Sequence, residues 1–154
     1  MSSHPPLAVI TGAGSGIGRA LALEAGRAGY DLVLVGRRLS ALEETAAQIT
    51  GVSIVVVDAD ITRSEDRLRI CDAIGDGLDL LINNAGVMVP PYSKTEDGFE
   101  MQMGTNFFGH FLLTGLLLDL VEKTEGSRII QLSSIAHRQG QINFDDLHSE
   151  KKYV

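Results

Sequence analysis

Four glycines separate a short apolar run from a stretch of helical period near the start of the chain. They are Gly12, Gly14, Gly16 and Gly18, in the sequence V-I-T-G-A-G-S-G-I-G. Glycine permits a sharp turn and a close approach of backbone N–H groups to an anion, whose charge is favoured at a helix N-terminus. The loop, together with Ser15 and Ile17, is therefore a candidate cradle for the diphosphate of a dinucleotide. A glycine-rich turn without a ligand would explain the same residues, and the spacing is not the commoner Gly-x-Gly-x-x-Gly.

Two arginines follow the next apolar run, in the sequence Gly36-Arg37-Arg38. In a doubly wound α/β fold, the end of the second strand contacts the adenosine ribose. An acidic residue there would bond the 2′-hydroxyl of NAD, whereas a guanidinium forms charge-assisted hydrogen bonds with a 2′-phosphate. Arg37 therefore favours NADP over NAD as the cofactor. The alternative is that both arginines are solvated loop charges, since Ser15 is not the second basic residue that often joins such a site.

Further polar residues occur where later apolar runs end or where aromatic residues cluster. By residue type alone, the Asn-Asn pair that ends at Asn84 and the Ser-Ser pair that ends at Ser134 are ordinary strand-ending turns. Asn106 lies among phenylalanines and needs hydrogen-bond partners if it is buried, so a structural role would also account for it. His110, one helical turn later, is interpreted as a core or helix-surface residue.

The elements that would position these residues alternate between two patterns. Short β-branched apolar runs alternate with stretches of helical period, which is typical of βαβ units and of a parallel sheet covered on both faces. The predicted strands span 7–11, 32–35, 54–57, 78–83 and 128–133, and the predicted helices span 16–29, 40–50, 64–74 and, long or broken, 96–124. Ser40 with Glu43 predicts a capping box, and Ser64 predicts a helix cap. The sequence therefore predicts a single α/β domain over residues 1–154.

Composition and charge restrict the partners. The chain has 13 Lys and Arg against 20 Asp and Glu, and the formal net charge of −7 disfavours both a nucleic-acid backbone and an anionic membrane surface. Residues 1–7 lack the basic region of a signal peptide, and polar residues interrupt the apolar stretch 107–121, so a buried helix is expected rather than a membrane span. The single cysteine, Cys71, cannot form an internal disulfide. We expect a cytoplasmic protein without nucleic-acid, membrane or metal partners.

Two of the motifs together resemble a known family. T-G-A-G-S-G-I-G at 11–18 and N-N-A-G at 83–86 resemble the classical short-chain dehydrogenase/reductases, and the segments 86–100 and 105–114 look like the retinol-dehydrogenase-like branch. The resemblance implies a Rossmann-type doubly wound parallel sheet with strand order 3-2-1-4-5 and an NAD(P) cofactor. It also implies hydride transfer between nicotinamide and an alcohol or carbonyl substrate. The long helices of this family pack against a second subunit, which is compatible with a homo-oligomer.

The resemblance also assigns roles to individual residues. Those expected to contact the cofactor, beside the adenine or along the cleft, are Asp60, Ile61, Asn84, Ala85 and Gly86. Asn106 corresponds to the asparagine that holds a water in the proton relay. Ser134 corresponds to the serine that hydrogen-bonds the substrate carbonyl or alcohol.

The sequence departs from the family pattern at the catalytic tyrosine and lysine. That pair is Tyr-x-x-x-Lys, and none of Tyr30, Tyr92 and Tyr153 is followed by lysine at this offset. We therefore expect a chain truncated before the pair, lacking the usual C-terminal strands, with residues 135–154 as a loop tail and with negligible turnover by itself. One alternative is a non-catalytic NADP(H)-binding or regulatory protein, and another is an unstable by-product without function. A pure binder would have no need of Asn106 or Ser134.

Overall fold

The fold is organised around one parallel β-sheet. A computed structural model describes residues 5–151 and residue 153, so the beginning of the segment interpreted as lacking a signal peptide, and residues 152 and 154 of the predicted tail, lie outside the described residues. Within the described part, the strands are Leu7–Thr11 (β1), Asp31–Gly36 (β2), Ile54–Asp58 (β3), Leu80–Asn83 (β4) and Arg128–Gln131 (β5). They pair in parallel in the order β3-β2-β1-β4-β5. The predicted fold class and strand order are confirmed.

Helices connect the strands and cover both faces of the sheet. They are Gly16–Arg27 (α1), Leu39–Ala46 (α2), Ser64–Asp72 (α3), the π-helix Met103–Gly109 and, continuous with it, His110–Lys123 (α4). Because all strand pairs are parallel, the carboxyl ends of the strands lie at one edge of the sheet. The residues predicted to bind a cofactor follow those carboxyl ends.

Apolar side chains on both faces of the sheet hold the layers together. In β1, Val9 packs in the cluster beneath α3 and α4, whereas Ala8 and Ile10 pack in the cluster beneath α1 and α2. All three side chains are 0% exposed. Full burial of a valine or isoleucine side chain contributes about 1.5–3 kcal/mol. Such strands, apolar on both faces, fix the position of the loop that follows β1.

Two predicted helix caps are wrong. α2 begins at Leu39, so Ser40 lies inside its first turn rather than in the cap position, and Arg38 occupies that position. α3 begins at Ser64 itself, whose hydroxyl accepts a hydrogen bond from Arg67 at 2.9 Å. A capping serine needs a non-helical backbone, and both serines have already adopted the helical one.

The long helix begins later than predicted. Residues 96–100 are not helical, and helical backbone begins at Met101. The Glu100 carboxylate, which is 3% exposed as a residue, accepts from the backbone N–H groups of Gln102 at 2.8 Å and Met103 at 2.9 Å. These N–H groups lack partners within the helix, and a negative charge is favoured at that end. Glu100 therefore defines where the helix starts.

The π-helix and α4 form the most apolar helical stretch among the described residues. Met103–Lys123 is long and apolar enough to cross a membrane, and its most apolar 18 residues have a mean hydropathy of 1.3, although 39% of those 18 residues are buried in the protein. A core helix of a soluble protein has the same composition. Leu113 and Leu117 are buried against the sheet, while Phe111 and Leu116 are 66% and 49% exposed. The prediction of a buried helix is therefore correct for one face only.

The sheet has two edge strands, β3 and β5, and each has a neighbouring strand on one side only in the described part of the chain. Ile129 and Ile130, on opposite faces of β5, are 39% and 44% exposed. The edge at β5 leaves backbone N–H and C=O groups available for pairing.

The tail contains two short 3₁₀ turns, Ile135–Arg138 and Phe144–Asp146, and is otherwise irregular. Its end packs against the segment before the π-helix. The Tyr153 ring meets Tyr92 edge-on with centroids 5.2 Å apart, and its hydroxyl donates to the Pro90 carbonyl at 2.9 Å. The described part of the tail, residues 135–151 and 153, thus contacts the body of the protein.

Candidate dinucleotide-binding site

A cleft of about 410 Å³ opens at the carboxyl ends of the central strands. It contains nearly all the positions for which the sequence predicted cofactor contacts: Gly12, Gly14, Ser15, Ile17, Gly18, Arg37, Asp60, Ile61, Asn84, Ala85 and Gly86. Gly16 lies in the same loop, at the start of α1, without lining the cleft. The loop after β1 and the turn after β4 meet here because the strand order reverses direction between these strands, which is where doubly wound sheets bind ligands.

The glycine loop needs glycine at two positions for steric reasons. Gly12 has a φ of +69°, and a Cβ at this residue would lie 2.9 Å from the Cα of Ala85. A Cβ on Gly18 would overlap the carbonyl oxygen of Gly12. Both contacts bring the first turn of α1 against the loop, so that the N-terminus of the helix faces the cleft. Its first N–H groups lack intrahelical partners and are available to an anion.

Two guanidinium groups lie at the β2 end of the cleft. Arg37 Nη1 is 3.8 Å from Asp60 Oδ2, and Arg38 Nη2 donates to Ser15 Oγ at 3.3 Å. The Arg37 side chain is 60% exposed, so its ion pair is screened by solvent and weak. Asp60 Oδ1 also accepts from the N–H and hydroxyl of Thr62, at 3.0 and 2.7 Å. Asp60 is therefore fixed, while Arg37 remains free to turn toward an anionic ligand.

Side chains of α3 hold the turn that carries Asp60. The N–H of Asp60 donates to the Asp66 carboxylate at 2.8 Å, and this bond lowers the pKa of Asp66, with Arg69 contributing in the same direction. Arg67, which is 5% exposed, donates to the carbonyl of Ile61 at 2.8 Å. Asp60 and Ile61 are thus positioned by the fold before any ligand binds.

The turn after β4 is held by hydrogen bonds to Thr11, the last residue of β1. The Thr11 hydroxyl accepts from the N–H groups of Asn84 and Ala85, both at 2.9 Å. The Asn84 side chain donates in return to the Thr11 carbonyl at 2.8 Å. The Asn84 side chain therefore bonds to a neighbouring strand and not to the backbone of its own turn.

His110 lies beneath Thr11 and is 2% exposed, which confirms the interpretation of a core histidine. Its Nε2 is 3.0 Å from Thr11 Oγ1, and its Nδ1 is 3.4 Å from the Asn106 carbonyl. Two N–H groups already occupy the lone pairs of the Thr11 hydroxyl, so its proton needs an acceptor, and Nε2 at 3.0 Å is closer than the Ile82 carbonyl at 3.3 Å. This arrangement favours a neutral His110 that carries its proton on Nδ1, on the side of the Asn106 carbonyl. Burial lowers the pKa of His110, and the Asn106 carbonyl opposes this effect.

The π-helix directs Asn106 toward the turn after β4. Its Oδ1 accepts from the N–H of Val87 at 2.8 Å, and its Nδ2 donates to the Val87 carbonyl at 2.9 Å. Asn106 is an exposed residue, so the condition of burial attached to its structural interpretation does not hold. It lies beside the cleft, since a Cβ on Gly86 would be 3.3 Å from Asn106 Oδ1.

Ser134 lies beyond the end of β5 and is exposed. Its hydroxyl accepts from the N–H of Ala136 at 3.2 Å, as in a short helix cap. Leu132, two residues earlier, lines the cleft, whereas Ser134 and Asn106 do not. The catalytic roles of both residues stay predictions.

The cleft also contains residues that the motifs did not identify. Arg38, Val87, Thr105 and Leu132 all contribute to its lining. Arg38 was recognisable as the second residue of the Arg-Arg pair, and Val87 directly follows the Asn-Asn-Ala-Gly turn. Thr105 and Leu132 carry no sequence signal of a contact, because only the packing of the π-helix and β5 against β4 brings them to the cleft.

A doubly wound parallel sheet with a glycine-lined cleft at its switch point defines a dinucleotide-binding domain. Comparison with known proteins identifies the family within this class. The sequence profile of the short chain dehydrogenase family matches residues 6–146, and the chain belongs to that family. Proteins of the family are oxidoreductases that bind NAD(P) cofactors.

The relatives include retinol dehydrogenases. Mouse retinol dehydrogenase 14 is 42% identical over 167 residues, covering 97% of this chain and 50% of the relative. Human retinol dehydrogenase 13 is 45% identical over 154 residues, covering 94% and 46%. The chain therefore spans about half the length of these relatives. A solved structure from Mycobacterium paratuberculosis superimposes with a TM-score of 0.83 and 37% identity, over 99% of this chain and 56% of that one.

Proposed function

We propose that this chain forms the NADP(H)-binding part of a short-chain dehydrogenase/reductase that transfers hydride between nicotinamide and an alcohol or carbonyl substrate. The observation that carries the proposal is the position of Arg37 and Arg38 in the same cleft as the glycine loop. The loop offers N–H groups to the diphosphate, and the arginines offer positive charge at the β2 end, where the adenosine ribose is expected.

The geometry of the arginines favours a 2′-phosphate over a free 2′-hydroxyl. Among the described residues, the Arg37 side chain has a single long ion pair, to Asp60, so a doubly charged phosphate would draw it away at little cost. Arg38 is close enough to Ser15 to bring a second guanidinium to the edge of the glycine loop. Planar guanidinium groups bind phosphate through paired, charge-assisted hydrogen bonds. The cofactor proposed is therefore NADP, with NAD the less favoured alternative.

Titration calorimetry with NADPH and NADH tests the cofactor assignment. We expect Arg37→Asp to weaken NADPH binding by about 10- to 100-fold, because a charge-assisted contact is lost and a carboxylate is placed near the phosphate. The affinity for NADH should stay the same or increase. Arg138→Asp, an equal charge change in the exposed tail, is the matched control and should leave both affinities unchanged. Equal losses for NADPH and NADH would refute the assignment of Arg37 to the 2′-phosphate.

The proposed substrate is a small-molecule alcohol or carbonyl compound, and the names of the relatives suggest retinol or retinal as the first pair to assay. Ser134 would hydrogen-bond the substrate oxygen, and Asn106 would hold a water for proton transfer. Reduction of the carbonyl consumes one hydride from NADPH and one proton, so loss of NADPH absorbance with retinal reports the complete reaction.

A non-catalytic NADP(H)-binding or regulatory protein is the second candidate. The observation that favours it is that the Asn106 side chain and the Ser134 hydroxyl are engaged by backbone groups of Val87 and Ala136. The 154-residue chain is expected to bind NADPH with negligible turnover under either candidate, because it has no Tyr-x-x-x-Lys pair. The test is therefore a longer product of the same gene: NADPH binding without oxidation of NADPH by carbonyl substrates, in a product that also has no such pair, would favour this candidate over the first. Cytoplasmic localisation, the absence of membrane partners and homo-oligomer formation stay predictions.

A further inference from the structure

Three carbonyl groups of the glycine loop are each bound by a side chain from outside the loop. The Gly12 carbonyl accepts from Asn84 Nδ2 at 3.4 Å, the Ala13 carbonyl lies 3.0 Å from Thr45 Oγ1, and the Gly14 carbonyl accepts from Arg19 Nη2 at 2.7 Å. These three carbonyls are consecutive in the loop. A carbonyl oxygen directed at a diphosphate would repel it, so the orientation of these groups decides whether the loop can bind an anion.

Thr45 is a buried residue of α2, 0% exposed, whose hydroxyl lies within hydrogen-bond distance of both the glycine loop and its own helix. Oγ1 is 3.0 Å from both the Ala13 and the Ala41 carbonyls. The Ala41 carbonyl already has the N–H of Thr45 as its partner, because α-helical bonds join each N–H to the carbonyl of the fourth residue before it. The Ala13 carbonyl is therefore the group that depends on the Thr45 hydroxyl.

Arg19, in the first turns of α1, donates hydrogen bonds to both Thr45 and the glycine loop. Its Nε donates to Thr45 Oγ1 at 3.0 Å, while its Nη2 donates to the Gly14 carbonyl. The Arg19 side chain is 29% exposed, and its pair with Glu44 at 3.2 Å lies on the solvent side. The planar guanidinium holds the hydroxyl of Thr45 and the carbonyl of Gly14 in one fixed geometry, which a lysine could not do.

We propose that Arg19 and Thr45 are positioning residues that hold the Ala13 and Gly14 carbonyls away from the cofactor diphosphate, so that the loop presents N–H groups to it. Neither residue is among the described residues that line the cleft, so both act from behind the loop. The inference rests on the proposed cofactor function. It predicts that the two residues govern affinity for the diphosphate and not for the adenosine 2′-phosphate end of the cofactor.

Two ligands separate these ends: NADPH, and adenosine 2′-monophosphate, which has the 2′-phosphate but no diphosphate. We expect Arg19→Met and Thr45→Val in the full 154-residue chain to weaken NADPH binding by about 10-fold each, the usual effect of losing one well-placed hydrogen bond. Binding of adenosine 2′-monophosphate should change by less than about twofold. Thr45→Ser, which keeps the hydroxyl, should restore NADPH affinity. Calorimetry or competition against a fluorescent nucleotide measures all three.

Matched controls exist in the same elements. Arg27→Met removes an exposed arginine from the end of α1, and Thr50→Val alters an exposed threonine beyond α2; both should bind NADPH like the original chain. Thermal unfolding establishes that each variant is folded, and Arg19→Met still tests the idea if Thr45→Val is unstable. Unchanged NADPH affinity, or equal losses for both ligands, would overturn the positioning role while leaving the proposed function intact. Failure of the original chain to bind NADPH would instead overturn the proposed function and this inference together.

Discussion

Thr11 and His110 share one hydrogen bond beneath the turn that follows β4 and lines the cleft. The Thr11 hydroxyl accepts hydrogen bonds from the N–H groups of Asn84 and Ala85, and its own proton therefore needs a separate acceptor. Neutral His110 provides that acceptor at 3.0 Å, closer than the Ile82 carbonyl at 3.3 Å. A protonated imidazole would instead direct an N–H at an oxygen whose lone pairs are already occupied. The site is therefore built for the uncharged form of His110.

The stability of the fold should consequently depend on pH through His110. Because burial lowers the pKa of His110 below its ordinary value of 6.5, the folded chain binds a proton less readily than the unfolded chain. The stabilising contribution is complete above about pH 6.5 and decreases as the pH falls toward the folded-state pKa, with a slope of at most about 1.4 kcal/mol per pH unit.

Urea unfolding at pH values from about 7.5 to 5.5 measures this dependence. We expect His110→Gln, which cannot be protonated in this range, to reduce the loss of stability on acidification. His137→Asn removes an exposed histidine and should keep the full pH dependence of the original chain. If His110→Gln and the original chain lose stability in parallel, the neutral buried state of His110 is wrong.

At the scale of elements, the packing of α1 against the glycine loop connects stability to binding. Gly18 sits in the first turn of α1 against the carbonyl of Gly12 and the side chain of Asn84, and both are fixed by the neighbouring strands. Any displacement of this turn would move the helix N-terminus away from the cleft. The glycine is therefore required by a close approach and not by an unusual φ.

Gly18→Ala should destabilise the chain by about 3 kcal/mol, because the added methyl group would overlap backbone atoms that cannot move freely. NADPH binding by the folded fraction should be lost as well. The matched control is Gly115→Ala in α4, where an added Cβ meets nothing within 4 Å. That substitution should stabilise the chain by about 0.5–1 kcal/mol, through the lower backbone entropy of alanine. Similar unfolding free energies for the two variants would contradict the packing described for α1.

At the scale of the whole molecule, the net charge repels the proposed anionic cofactor, whereas positive groups in the cleft attract it. The net charge of −7 repels an anionic cofactor at long range. Arg37 and Arg38 concentrate positive charge at one end of the cleft, and the N-terminus of α1 adds a partial positive charge at the loop. Binding therefore depends on short-range contacts in the cleft and not on attraction by the molecule as a whole.

We expect the affinity for NADPH to fall more steeply with ionic strength than the affinity for NADH. The 2′-phosphate is the difference between the two ligands, and its exposed guanidinium partners are screened by salt. Fluorescence titrations between about 0.05 and 0.5 M salt would show the two slopes. Arg37→Asp should make them converge. Parallel slopes in the original chain would show that the arginines do not contact the phosphate.

The sequence by itself determined the class of fold, the strand order implied by the family resemblance, and most of the residues that line the cleft. Three of the signals are local: the glycine spacing, the position of Arg37 and the Asn-Asn-Ala-Gly turn. Each depends on the residue types needed at the end of one strand or at the start of one helix. Periodicity also located every strand to within a few residues. The predicted caps Ser40 and Ser64 lie two positions and one position after the observed caps, Arg38 and Arg63, since a capping pattern does not reveal which backbone conformation the serine adopts.

Only the tertiary structure decided which distant side chains complete the site. Thr45 and Arg19 bind the glycine loop from two different helices, and His110 reaches Thr11 across 99 positions of sequence. Such contacts depend on how the helices pack on the sheet, and no single segment encodes them. The start of the long helix was likewise decided by burial of the Glu100 carboxylate against the N–H groups of the first turn. Residue types alone leave these partners open, because hydrogen bonds between elements form only after packing has fixed the distance between them.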